Sequence, residues 1–179
     1  MAKSDSFFIR AIASCGTAAL GGEQQTIDLG SFVNLGVTKS TIMRIHNIAV
    51  QWAVNGNVTE VFAMAADGCD KVAFQLTTQS QSDMVNATDK SLISSGSLQA
   101  YLVGGTAGEL TGITQDLDVS PQDWQNGYLV AVDSLFLRVK RESTSTAGIN
   151  DSVSCAIVIE CTLENASQAS ALALSLSQF

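Results

Sequence analysis

Charge is scarce in this chain: Asp, Glu, Lys and Arg make up 15% of its 179 residues, against about a quarter in an ordinary globular domain. Two readings of that deficit stay open. Either neighbours cover much of the surface, since contact areas are depleted of Lys, Glu and Asp, or Ser, Thr, Asn and Gln solvate it. Basic residues are the scarcer sign, 9 against 17 acids, for a net charge of −8. Such a chain repels a phosphate backbone, so direct nucleic-acid binding is not expected. Arg138, Lys140 and Arg141 form its one basic cluster, which reads as the end of a strand on a solvated face.

Histidine is nearly absent. His46 is the single one, so any Ser-His-Asp or Cys-His mechanism must pass through it. Its setting, Met-Arg-Ile-His-Asn-Ile, is an apolar strand without a nucleophile elbow, which predicts a structural histidine at a strand bend. Asp116, Asp118, Asp123 and Asp133 fall in loop, cap or bend contexts that explain them without catalysis, and Asp116-Leu-Asp118 offers two calcium ligands where an EF-hand loop needs more. The Gly-rich stretch 104–112 lacks the Lys-Ser/Thr ending of a phosphate loop. No enzyme activity and no cofactor or metal is expected.

Long hydrophobic runs are missing too. The strongest, 48–50 and 130–132, fall far short of the ~20 residues of a helical membrane span. Arg10 interrupts the apolar stretch 7–13 behind an early acid, a poor fit to a signal peptide, so synthesis in a cytoplasm is expected. Cys15, Cys69, Cys155 and Cys161 show no C-x-x-C spacing. Cys155 and Cys161 share one strand face about 20 Å apart and cannot bridge each other. They read as buried thiols, the alternative being one disulfide of either with Cys15 or Cys69. Four Asn-x-Ser/Thr triplets, at Asn57, Asn86, Asn150 and Asn165, are expected by chance in so Ser- and Thr-rich a chain.

What the chain does have is alternation. With 46% hydrophobic residues it can build a substantial core, and eight segments predict strands: 7–14, 26–33, 41–54, 58–65, 71–78, 92–103, 128–141 and 153–164. In the last, Val153, Cys155, Ile157, Ile159, Cys161 and Leu163 share one face. Two segments change phase, at His46–Asn47 and at Asp133–Ser134, and a bulge or bend at each would restore one buried side. One short helix is predicted over 120–127, with Ser120 as cap, Pro121 in the first turn and Gly127 as terminator, and a second over 82–90. From 165 to 179 the alternation of Leu172, Leu174 and Leu176 predicts an extended arm that needs something to lie on.

Eight strands with long loops and short terminal extensions resemble the single jelly-roll capsid proteins of tailless icosahedral viruses. Locally, Ser6-Phe-Phe-Ile-Arg-Ala11, the segment Thr-Ile-Asp-Leu-Gly-Ser-Phe at 26–32 and Leu135-Phe-Leu-Arg-Val139 look like coat segments of marine prokaryotic viruses. The resemblance implies an all-β, eight-stranded jelly-roll sandwich filling 1–179 as one domain, a homo-oligomeric structural subunit of a virion made in the host cytoplasm. Its partners would be copies of itself and other capsid proteins, with an internal membrane near by. The Arg-rich arm of genome-packaging jelly rolls is absent, in line with no direct genome binding. Leu172, Leu174, Leu176 and Phe179 are the expected assembly contacts. The rival reading is a glycan-binding β-sandwich, lectin-like or a fibre head, with Trp52 and Trp124 as stacking platforms.

Overall fold

The computed structural model describes residues 5–17, 20–36, 40–60, 67–102, 112–144 and 151–178. Ten strands form two sheets: β1 (Phe7–Ser14), β2 (Gly22–Asp28), β3 (Asn34–Leu35), β4 (Ser40–Val54), β5 (Gly68–Thr77), β6 (Leu92–Leu102), β7 (Gly112–Val119), β8 (Tyr128–Val130), β9 (Ser134–Ser143) and β10 (Val153–Ala166). One sheet runs β1-β10-β4, with β3 and β8 both pairing the far side of β4; the other runs β2-β9-β5-β6-β7. All pairings are antiparallel.

That order identifies the fold. With the short β3 and the extra edge strand β7 set aside, the remaining eight strands place first, last, third and sixth in one sheet and second, seventh, fourth and fifth in the other, the double Greek key of a jelly roll. Inward residues of both sheets interdigitate in one core that includes Ile48, Phe74, Leu137, Ile157 and Cys161, and the Trp52 ring meets Phe74 edge-on across it at 6.1 Å.

The phase change in β4 is a bulge. Asn47 opposes Glu160 and Ile45 opposes Cys161, so His46 is the extra residue, and Met43, Ile45, Ile48 and Val54 all reach the core. The second phase change has another cause. The predicted strand 128–141 is two strands in different sheets, β8 beside β4 and β9 beside β5, with the chain crossing between them at 131–133. A bend within one strand and a passage between sheets both flip parity, and only long-range pairing separates them.

Other expectations are corrected. In the predicted strand 58–65, Val58 and Thr59 sit in a turn, the Thr59 amide donating to Asn57 Oδ1 at 3.0 Å, and 61–66 lie outside the described residues. Residues 82–90 form turns, not a helix, one of them closed by the Asp89 amide on Asn86 O. The predicted helix at 120–127 is a single 3-10 turn, Pro121–Asp123. Strand β7 was missed, although Ile113, Leu117 and Val119 share one parity; the polar residues between them hide it. Arg141 is buried in the interior, for reasons given below.

The largest correction is the C-terminal arm, which is a helix, α1 (Gln168–Ser177). The Ser167 hydroxyl accepts the Ser170 amide at 3.2 Å, closing the helix start. Ala and Leu, strong helix formers, fill the turns that follow. Alternating leucines then fall on different sides, and the buried set becomes Ala171, Ser175 and Gln178 with Leu174 half-buried, the i, i+3, i+4, i+7 spacing of a helix face.

Candidate functional site

The outer surfaces of the two sheets are the places where this chain meets its surroundings, and they differ in chemistry. On the sheet containing β2, β9, β5 and β6, most outward residues are polar, Phe136 and Tyr101 apart, and residues 78–91 fold over part of them. Gln75 holds that segment as a backbone would: its Nε2 donates to Val85 O at 2.7 Å and its Oε1 accepts the Val85 amide at 2.8 Å. Gln24 Oε1 accepts the Gln81 amide at 3.1 Å, Arg138 donates to Gln81 O at 2.5 Å, and Lys140 meets Asp83 at 2.6 Å. The Lys140 ammonium holds the Asp83 carboxyl below its ordinary value, helped by the Met84 amide.

On the opposite sheet, α1 covers one half of the outer surface. Its inner side, Ala171 and Leu174, packs on Ile42, Ala131, Leu129 and Leu35. Gln178 clamps its end: Oε1 accepts the Ala131 amide at 3.0 Å, Nε2 donates to Leu129 O at 2.6 Å, and its own carbonyl accepts from Thr78 Oγ1 and Gln79 Nε2, both at 2.9 Å. Beside the helix runs a polar row. Arg44 is paired with Glu164 through two bonds of 2.6 and 3.0 Å, which raises its pKa further, and His46 Nε2 lies 2.9 Å from Thr162 Oγ1.

Among the described residues nothing covers the other half of that surface. Register places Phe8, Arg10 and Ile12 of β1 beside Glu160, Val158 and Ala156 of β10, which in turn flank Asn47, Ala49 and Gln51 of β4. Phe8 is 54% and Ile12 58% exposed, and Ala49 is exposed too.

Of the expected assembly residues, Leu172 and Leu176 face outward from α1, at 44% and 75% exposure. Leu174 points the other way, half-buried in the contact with the sheet. Phe179 lies outside the described residues. Of the two tryptophans, Trp52 is used in the core, while Trp124 is 40% exposed with its ring 5.7 Å from Tyr128.

The basic cluster takes a form that sequence reasoning missed. Arg141 and Asp70 are both buried, with Arg141 Nε 2.9 Å from each Asp70 oxygen, Nη2 on Oδ2 as well, and Nη1 donating to Asp151 O at 2.5 Å. The partners are 71 residues apart, so no local pattern could announce them. Arg44, Arg138, Lys140 and Arg141 are thus all engaged within the chain. Burial pushes the Cys155 and Cys161 thiols up to about 12 and raises Cys15 as well; all four cysteines are free, and Cys69 is half-buried. Among the described residues no group of three or more His, Cys, Asp or Glu is placed to share a metal ion. A cleft of about 340 Å³ between α1 and β8, lined by Lys90, Tyr128, Leu174 and Gln178, is wide open to solvent.

No protein-family model matches the chain, and no curated protein matches it in sequence. Solved structures similar to it include VP1 of the New Jersey polyomavirus, 7% identical over 93% of this chain and 100% of that one, with a TM-score of 0.49. VP1 of the Trichodysplasia spinulosa-associated polyomavirus, solved in complex with GM1 oligosaccharide, is 10% identical over 88% and 94%, with a TM-score of 0.46. A chain of infectious bursal disease virus, Gx strain, is 12% identical over 89% of this chain and 37% of that one, at 0.32. At these levels the strand order remains the ground for the fold, and no family is assigned.

Proposed function

We propose that this chain is a structural subunit that self-associates, and that its assembly is an icosahedral viral capsid. The observation that carries the reading is the bare apolar half-sheet of Phe8, Ile12, Ala49, Ala156 and Val158 on a jelly roll of net charge −8. Exposed large apolar side chains gathered on one rigid sheet mark a contact surface. Its one cation and one anion, Arg10 and Glu160, cancel, so the surface escapes the repulsion that copies of an acidic chain meet elsewhere.

A virion is the place of residence this reading implies, with synthesis in the host cytoplasm. The host is a marine prokaryote and the virus tailless, on the resemblance of segments 6–11, 26–32 and 135–139 alone. Other capsid proteins, and an internal membrane beneath the shell, are the further neighbours. Direct genome contact is not part of the role: four of the nine bases are held by partners within the chain, leaving few cations to displace counterions from a phosphate backbone.

Electron microscopy of the purified protein, concentrated in solution, tests the reading. Rings or closed shells are the expected result. Monodisperse monomers at every concentration would overturn it.

A further inference from the structure

We propose that the bare half of the β1-β10-β4 sheet is covered, in the assembly, by helix α1 of a second copy, laid down by its outward stripe of Ala169, Leu172, Ala173 and Leu176. The contact rests on the reading of the chain as a self-associating subunit, and specifies which two surfaces meet.

Four observations support it. First, the chain already makes this contact with itself: the inner side of α1 covers the other half of the same outer sheet surface, through Ala171 and Leu174 on Ile42 and Leu129. The bare half is therefore a surface of the same kind without its helix. Second, α1 has a second apolar side without a surface. Ala169, Leu172, Ala173 and Leu176 are all exposed and follow the i, i+3, i+4, i+7 spacing of one helix face. Held in place by Gln178, the helix cannot turn that side toward its own sheet.

Third, charge favours a second copy as occupant. The helix has no charged residue from Gln168 to Ser177, and the bare half carries one of each sign, Arg10 and Glu160, on neighbouring strands. Both surfaces are neutral on a chain of −8, whereas the opposite sheet presents Lys71, Lys140 and Glu142 among its outward residues. Fourth, the dimensions match. A ten-residue helix is about 15 Å long, and the strand spacings give the bare patch about 17 Å by 14 Å. One such contact buries less than the ~800 Å² per partner of a stable pair, so alone it forms only at high protein concentration, whereas several acting together in a closed array hold it tightly. Each copy carries both surfaces, so it can engage two neighbours or close a reciprocal pair in which each lays its α1 on the other.

Two variants test it by sedimentation velocity on the full chain, with circular dichroism and thermal midpoints confirming that each is folded. Ile12→Glu spoils the sheet surface; the pair Leu172→Glu and Leu176→Glu spoils the helix. Should either lose its fold, the corresponding serine variants take its place. Wild type is expected to self-associate, and each variant alone to remain monomeric. Their equimolar mixture, at the highest concentration reached, should give a dimer and nothing larger, because each variant keeps the one surface its partner lacks. Self-association of either variant alone, or a mixture that stays monomeric, overturns this contact while leaving the subunit reading standing if wild type still assembles. A wild type that never associates overturns both.

Discussion

The two outer faces of this sandwich solve the same problem in opposite ways. The β2-β9-β5-β6 face is mostly polar and satisfied from within: Gln75, Gln24, Arg138 and Lys140 bind residues 78–91. The β1-β10-β4 face is covered over one half by α1, and over the other it presents Phe8 and Ile12 with no cover among the described residues. A face covered by hydrogen bonds to its own loop is finished within the monomer. One that shows Phe8 and Ile12 at more than half exposure is unfinished, and it is this asymmetry that gives the molecule a direction for assembly.

The comparison is broken most severely by loosening the finished sheet from inside. Arg141→Ala leaves the Asp70 carboxylate buried without its partner and should lower unfolding stability by ~3 to 5 kcal/mol. Replacing both residues by apolar ones of similar size should be milder, and chemical denaturation measures each. Alkali should act next, through the inner side of the unfinished sheet. The folded-state thiols of Cys155 and Cys161 sit near 12, above their ordinary 9.0. A group raised by folding contributes its stability below the unfolded value and loses it as pH climbs toward the folded one. Each should therefore lose ~1.4 kcal/mol per pH unit between about 9 and 12. Melting curves should show a fall over that window that flattens in Cys155→Ala and Cys161→Ala.

Smaller effects separate the covers themselves. Gln178→Ala removes the bonds to the Ala131 amide and the Leu129 carbonyl and should cost ~2 kcal/mol, freeing α1 from the sheet. Gln75→Ala should cost ~1 kcal/mol and speed hydrogen exchange at the Val85 amide, uncovering the polar face without creating an apolar one, so assembly should be unaffected.

Much of the fold was legible because alternation is strong where a strand has one face on a core. Strand β1 runs over the predicted 7–14, and β10 lies within two residues of its predicted ends. His46 was readable as a bulge because apolar parity flips around it. What stayed hidden depends on partners distant in sequence. The same parity flip at Asp133 marks a passage between sheets, and Arg141 reads as a surface base until Asp70 is found beside it. At the C-terminus, leucines at every second position satisfied a strand rule, although the Ser167 cap and the Ala-rich turns favour a helix. Of the site, Leu172 and Leu176 were found from sequence for a reason that changed: they are exposed as the outer side of a helix. The sheet half they are proposed to meet was not recognised, since Phe8 and Ile12 share a strand with inward residues and only the register shows that β10 and β4 continue their outer side with Val158 and Ala49.

The most direct test of the unfinished face is hydroxyl-radical footprinting of the wild-type protein, dilute and assembled. The account predicts that Phe8, Ile12, Leu172 and Leu176 lose reactivity on assembly while Met84, on the loop-covered face, keeps its own. Protection at Met84 with Phe8 and Ile12 unchanged would contradict it.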